Sequence, residues 1–370
     1  MKAHDLVQVS AYYPPHLGGQ ENAVHDLAQQ LAKAGYSVKV LTSRIGSTAK
    51  DAKNETGVHV RRMWGFVFGH APIMPWFPIA LFGAARAGSV VHLHIGQAFT
   101  PEMVWLVSKL RRFKYVAQLH IDFEPSGPAG ILLPLYKRLI LGRVLRAADS
   151  VIALNIKTLN TVRSTYGYTG RAYVISNGID ESYFSLRRPP LTPQPPDCLR
   201  LLFVGRLSAQ KNVAELLKAL RMTKRKVHLD VIGDGSERET IKKIISERAQ
   251  TNVTLHGRLD RQDVMKFYET CDALIMPSLY EAQPLVLLEA MAARIPIIGT
   301  RVIGVEDHIK NAGILVEPTA HGLAYGIEQY FTRYQALSGM IERGYRMAQK
   351  LGWSRTLKKY KALYDEVSGN

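Results

Sequence analysis

Short apolar runs alternate along the chain with longer stretches whose apolar residues recur at helical spacing. Leu6-Val7-Gln8-Val9 predicts a strand, Glu21–Lys33 a helix with Val24, Leu27, Ala28 and Leu31 on one face, and Ser37–Leu41 the next strand. Further strands are expected at Val90–His94, Tyr115–His120, Ser150–Leu154 and Ala172–Ile175, with helices near Glu102–Leu110 and over Ile131–Ala148. The second half repeats the pattern. Its strands are expected at Leu199–Val204, Val227–Ile232, Val253–Leu255, Ala273–Met276, Ile297–Gly299 and Ala312–Val316. Helices fit Val213–Leu220, Arg238–Arg248, Arg261–Thr270 and Leu285–Ala293, and more lie between His321 and Val367. Regular alternation of strand and helix predicts two parallel, doubly wound α/β sheets.

A chain of 370 residues is long for one core, so two domains are expected. The proline-rich stretch Arg187–Pro196 has no periodicity and reads as a semi-rigid linker, dividing residues 1–186 from residues 197–351. Met63–Phe82 breaks the pattern: it is rich in Trp and Phe, and Pro72, Pro75 and Pro78 exclude one continuous helix. It reads either as core or as an apolar lip that touches an acceptor or a membrane.

Composition narrows the class. The chain is 46% hydrophobic and 21% charged, as in globular domains, and shows neither a transmembrane run nor a signal-peptide segment at Met1–Gln8. Cys198 and Cys271 form no disulfide or metal pattern, consistent with a reducing, cytoplasmic setting. The net charge of +17 is uneven: residues 1–190 hold 22 Lys+Arg against 11 Asp+Glu, and the remainder 26 against 20. Such a surface attracts nucleic acid, phospholipid or a phosphorylated substrate. The basic residues are dispersed among apolar helices and no recognition module is visible, which disfavours nucleic acid.

The candidate chemistry gathers at strand ends. Ala273–Met276 runs into a loop holding Glu281, and Pro284 then starts a helix with Glu289 about one and a half turns inside it. That order puts the amides of Leu285 and Val286 at a sheet's carboxyl edge, where anions bind. Gly205-Arg206 and Lys211 follow Leu199–Val204, pairing a planar cationic fork with a point charge. Gly233-Asp234-Gly235 ends the next strand, and Gly18-Gly19 ends the first strand-to-helix loop without forming a G-x-G-x-x-G fingerprint.

Together, Gly18-Gly19-Gln20-Glu21, His120, Asn177-Gly178-Ile179-Asp180, Gly205-Arg206 with Lys211, Gly233-Asp234-Gly235 and the E-x7-E element Glu281–Glu289 resemble a retaining glycosyltransferase of family 4. The resemblance covers nearly the whole chain. It implies a GT-B fold of two Rossmann-like domains facing a cleft: an N-terminal acceptor domain, onto which a last helix at about 352–370 returns, and a C-terminal donor domain. It also implies roles. Arg206, Lys211, Glu281 and His120 would be catalytic. Gly18, Gly19, Asn177, Gly205, Gly233, Gly235, Arg258, Leu259, Gln283, Leu285, Val286 and Glu289 would bind the donor, a UDP- or GDP-linked sugar. Arg206 and Lys211 would neutralise the leaving diphosphate, Glu289 would hold the ribose, and Glu281 would grip the sugar hydroxyls. One departure stands out: Ala282-Gln283-Pro284 replaces the family's usual Gly-Phe-Gly.

No Asp-x-Asp occurs, so metal-independent catalysis with no cofactor is expected. The expected reaction is hexosyl transfer, with retention, to an acceptor hydroxyl in glycan or glycolipid synthesis. The basic N-terminal half and the Met63–Phe82 segment point to a lipid-linked acceptor or an anionic membrane surface, with the protein peripheral on the inner face of the plasma membrane. A soluble small-molecule acceptor and nucleotide-sugar 2-epimerisation are the competing readings.

Overall fold

The computed structural model describes residues 5–16, 18–47, 51–53, 56–68, 71–120, 133–247 and 250–369. The chain divides into two compact units, Met1–Gly178 with Trp353–Asn370, and Ile179–Gly352.

The first unit contains β1 (Asp5–Ser10), β2 (Ser37–Ser43), β3 (Ala52–Lys53), β4 (His59–Met63), β5 (Phe66–Phe68), β6 (Ala71–Ile73), β7 (Val90–Ile95), β8 (Lys114–Leu119), β9 (Ser150–Ala153) and β10 (Ala172–Val174). The main sheet runs β10-β9-β8-β7-β1-β2-β4-β3, while β5 and β6 pair apart from it. Its pairings are parallel except β3 on β4. The two-residue period sends Val7, Val9, Val91 and Leu93 to one face, packed with Phe77, Leu81, Val104 and Val107 of two helices. Leu6, Val38, Val90 and Val116 point the other way, toward Val24 and Leu27 of the helix Gly19–Lys33 and Tyr360 and Tyr364 of the helix Trp353–Ser368. That last helix therefore belongs to the N-terminal unit.

The second unit holds β11 (Leu199–Val204), β12 (Val227–Ile232), β13 (Val253–Gly257), β14 (Ala273–Met276), β15 (Ile297–Thr300) and β16 (Ile314–Val316). All are parallel, in the order β13-β12-β11-β14-β15-β16. Strand order reverses between β11 and β14, which is where open α/β sheets bind ligands. The helix Val213–Met222 buries Val213, Leu216, Leu217 and Leu220, an i, i+3, i+4, i+7 stripe, and each buried leucine stabilises the fold by about 1.5–3 kcal/mol.

The structure corrects three sequence expectations. The proline-rich stretch is not the crossing between units, because residues from Ile179 onward fold with the second unit. Leu191 packs against that unit's core, Gln335 Nε2 donates to Pro193 O at 2.9 Å, and Arg188 donates to Tyr268 O, so the prolines are anchored. Next, β3 to β6 have no counterpart in the pattern reading. β4 is His-Val-Arg-Arg-Met, whose arginine pair hides its alternation, and β5 and β6 lie inside the proline-broken segment. Finally, the continuous helix expected over Ile131–Ala148 is a helix Leu133–Tyr136, a π-helix Lys137–Leu141 and a helix Gly142–Arg146. The loop Phe123–Gly130, the beginning of that helix at Ile131, and Arg248 lie outside the described residues.

Candidate functional site

Two loops meet at the strand reversal of the second unit. After β11, Gly205 to Ser208 lead into a 3-10 turn, Ala209–Lys211, and Asn212 takes a left-handed conformation (φ 56°) before the helix Val213–Met222. After β14, Pro277 to Pro284 lead into the helix Leu285–Ala292. The loops are stitched together. Leu279 N donates to Gln210 O at 2.8 Å, Gln210 Nε2 to Tyr280 O at 2.8 Å, and Asn212 Nδ2 to Pro277 O at 3.2 Å.

This stitching brings Lys211 onto Glu281. The ammonium donates to Glu281 Oε1, which also accepts the Ser278 hydroxyl at 2.7 Å. Both side chains are mostly shielded, at 17% and 8% exposure. Each charge is held by the other. Arg206 lies exposed at the carboxyl end of β11.

The helix Leu285–Ala292 has Pro284 as its N-cap and no side-chain cap, whereas Asp260 and Thr319 cap the helices at Arg261–Thr270 and Ala320–Thr332. Its first amides, Leu285 and Val286, thus lack the side-chain oxygen that closes those helices, leaving a positive end at the close of the Glu281 loop. Proline sits one position earlier than expected, at the cap rather than in the first turn. Within the helix, Glu289 Oε2 accepts the Tyr268 hydroxyl at 3.1 Å. Tyr268 is fully buried, and burial followed by the Glu289 charge holds its phenol well above the ordinary range, so it stays a donor. Gln283 and Pro284 are buried at the loop's end.

The glycines have a packing reason. Gly233 has φ +142°, and a Cβ there would collide with Gly205 O; at Gly235 it would collide with Leu207 O. Leu207 N donates to Asp234 O at 3.0 Å, so the loops after β11 and β12 touch backbone to backbone. Arg258 is exposed after the edge strand β13, and Leu259 packs against the unit's core.

The first unit carries the other candidates. Gly18 caps and Gly19 begins the helix after β1, and the Gln20 side-chain amide lies over Gly96 beyond β7, where a Cβ would push it aside. His120 follows β8, 5% exposed, with Nε2 2.9 Å from His94 Nδ1. Burial lowers the His120 pKa to about 4, against a smaller upward pull from Glu21. His94 is held well below its ordinary value by burial and by His92 and His120. His92 is lowered to about 3, mainly by burial. Its Nδ1 lies 2.8 Å from the Tyr364 hydroxyl, and Tyr360 donates to Gln118 Oε1 at 3.1 Å. A polar row of neutral groups thus runs through one sheet face to His120. Asn177 is buried at the end of the unit's first segment, and a Cβ on Gly178 would strike the Trp353 indole.

The sequence singles out Lys211, Glu281, Glu289 and His120; the structure adds Ser278 as a partner of Glu281, Tyr268 as a partner of Glu289 and His94 as a partner of His120, none of which stands out in the sequence as a site residue. The His-x-His of β7 was the signal for His94, since two histidines on one face of a buried strand require partners. Tyr268 gave none, as it is one aromatic among the apolar positions of its helix.

The fold is that of known sugar transferases. The Anabaena protein HepE in complex with UDP-glucose superposes with a TM-score of 0.75 at 17% identity, covering 98% of this chain and 99% of that one. These two Rossmann-like units define a GT-B glycosyltransferase fold. The model for glycosyltransferase family 4 matches residues 17–183 and that for glycosyl transferases group 1 matches residues 192–347, together most of the chain. The chain belongs to glycosyltransferase family 4. Glycogen synthase of Mycobacterium tuberculosis is 27% identical over 83% of this chain and 80% of its own length. A human phosphatidylinositol N-acetylglucosaminyltransferase subunit is 23% identical over 99% of this chain and 77% of its own length.

Proposed function

We propose that this glycosyltransferase moves a hexosyl-type sugar from a UDP- or GDP-linked donor to the hydroxyl of a lipid-linked or membrane-surface acceptor, with retention of configuration and without a metal. The meeting of Lys211 and Glu281 at the strand reversal of the second unit carries the reading. A cation suited to phosphate and a carboxylate suited to sugar hydroxyls meet there, in loops that also carry Arg206 and lead into a helix whose N-cap, Pro284, offers no side-chain oxygen. HepE, bound to UDP-glucose, supports a nucleotide-sugar donor. The human phosphatidylinositol N-acetylglucosaminyltransferase subunit, named for a lipid, supports a lipid acceptor.

Breaking the sugar–phosphate bond leaves an oxocarbenium-like sugar and adds negative charge to the diphosphate. Arg206, Lys211 and the Leu285 and Val286 amides stabilise that charge as it develops, the largest catalytic term in most such sites. Lys211 exchanges Glu281 for phosphate when donor binds, which releases Glu281 to the sugar hydroxyls. Glu289, held by Tyr268, accepts from the ribose hydroxyls. The acceptor attacks on the face the diphosphate leaves, and the diphosphate takes the acceptor proton. No carboxylate forms a covalent bond to the sugar.

The anomeric configuration of the product, read by NMR, tests the reading. A retained anomer with no glycosyl adduct on Glu281 by mass spectrometry is expected. An inverted anomer or a trapped adduct overturns the mechanism. Conversion of the nucleotide sugar without any acceptor identifies an epimerase instead.

A further inference from the structure

The helix Phe77–Ala84 is apolar on every side, yet only Phe77, Ala80 and Leu81 are buried. A helix apolar all round belongs inside a protein or a membrane. Its outer stripe, Trp76, Ile79 and Phe82, faces solvent, with Ile79 66% exposed. The preceding hairpin repeats the anomaly. Phe66, Val67 and Phe68 of β5 are all exposed, Phe68 at 75%, on a two-stranded pair that stands apart from the main sheet.

These features are continuous. Trp64 and Phe66 rings lie 6.2 Å apart, and the hairpin leads through Trp76 into the helix. That helix packs beside Thr100–Arg111, where Arg111 sits 4.3 Å over the Phe82 ring and donates from Nε to Phe82 O at 3.1 Å. The same helix exposes Leu106 and Leu110 one turn apart, then Lys109, Arg111 and Arg112. From Met63 to Lys114 the only acid in the sequence is Glu102, and its carboxylate accepts the Tyr136 hydroxyl. The patch is therefore apolar at its centre and cationic at its rim.

We infer that the strand pair β5 and β6 and the helix Phe77–Ala84 form a wedge that enters the headgroup layer of an anionic phospholipid bilayer, with Arg111 and its neighbours resting on the lipid phosphates. Amphipathic tryptophans and long cationic side chains around an apolar centre are the chemistry of interfacial docking. A second copy fits poorly, because a two-fold contact sets the patch against itself and brings like charges together. Docking deepens the acceptor reading above and rests on it, but it does not depend on transfer. A failure of docking and a failure of the donor reading are therefore separate results.

The test uses the whole chain and vesicles of phosphatidylglycerol with phosphatidylcholine. At low salt the protein co-sediments with the anionic vesicles at least tenfold more than with pure phosphatidylcholine. Brominated acyl chains quench tryptophan emission, and Trp64→Phe with Trp76→Phe abolishes that quenching. Phe68→Glu with Ile79→Glu lowers binding at least tenfold while the melting temperature holds. Absence of binding to anionic vesicles at low salt overturns the inference, as does binding without quenching. Dimerisation, or capture of a protein partner through this face in place of lipid, also overturns it. Should the double glutamate variant fail to fold, the quenching measurement on the wild-type chain decides alone.

Discussion

Lys211 and Glu281 are 70 residues apart in sequence, and the ammonium of one donates to the carboxylate of the other. The pair is a store of two charges that the donor is expected to separate. If Lys211 stabilises the leaving diphosphate as proposed, Lys211→Ala lowers turnover by roughly a hundredfold, as loss of an oxyanion donor does. Lys211→Met leaves Glu281 with Ser278 as its hydroxyl partner, costing roughly 1–3 kcal/mol. Adding Glu281→Gln removes the stranded charge and restores part of that loss. Chemical denaturation of the two variants reads the difference; a double variant no more stable than Lys211→Met contradicts the pairing.

Tyr268 donates to Glu289, the carboxylate proposed to hold the ribose. Tyr268→Phe keeps the buried ring and deletes the hydroxyl bonded to Glu289 Oε2, costing about 1 kcal/mol of stability. Steady-state kinetics should show a raised donor KM with kcat little changed, since the carboxylate keeps its place in the helix but loses its orientation. An unchanged KM contradicts the positioning role.

Gly233 is required by geometry. Gly233→Ala would put a methyl group on Gly205 O at a backbone angle that side chains rarely adopt. The strained backbone alone costs about 1–3 kcal/mol, and relief of the clash shifts Gly205 and Arg206. Thermal melting and turnover should both fall; an unperturbed variant contradicts the packing of the two loops.

Strand β14 could be placed from its unbroken apolar run Ala273–Met276, as buried parallel strands are written, while β11 and β12 keep enough apolar positions around Arg200 and around His228 and Asp230 to be read as strands. The loops after β11 and β14 were legible because Lys211 and Glu281 stand out in short polar stretches between such strands. Two things were not. Which unit holds Arg187–Pro196 depends on Leu191 and Arg188 finding partners far along the chain. The bond from Tyr268 to Glu289 depends on a helix crossing that no local pattern encodes. The histidine row was half legible: His92 and His94 share a strand, but Tyr360 and Tyr364 arrive from the far end of the chain.

That row sets a pH dependence. His92, His94 and His120 are held below 6.5 in the fold, two of them to about 3 and about 4. Below pH 6.5 the unfolded chain binds protons that the folded one refuses, so the unfolded state holds more protons and stability rises with pH. The contribution is complete above about pH 6.5 and is lost as pH falls toward 4. Thermal melting from pH 7.5 to 4.5 should decline, and His92→Gln should flatten the slope. A slope unaffected by that change contradicts burial of a neutral His92.

On the proposed mechanism, in which Arg206, Lys211 and the helix amides would supply the positive charge, removal of metal is expected to leave transfer intact. Activity after EDTA treatment and desalting checks this; recovery only on adding a divalent cation contradicts it.

The loops after β11 and β14 are proposed to hold a nucleotide-sugar donor. A thermal-shift panel of nucleotides and nucleotide sugars reads such binding without knowledge of the acceptor, because a ligand at a hundred times its Kd adds about 2.7 kcal/mol to the folded state. A UDP- or GDP-sugar is predicted to raise the melting temperature of the wild-type protein, and Glu289→Ala to abolish the response. A panel in which no nucleotide sugar stabilises the protein, or in which Glu289→Ala responds like the wild type, contradicts the claim.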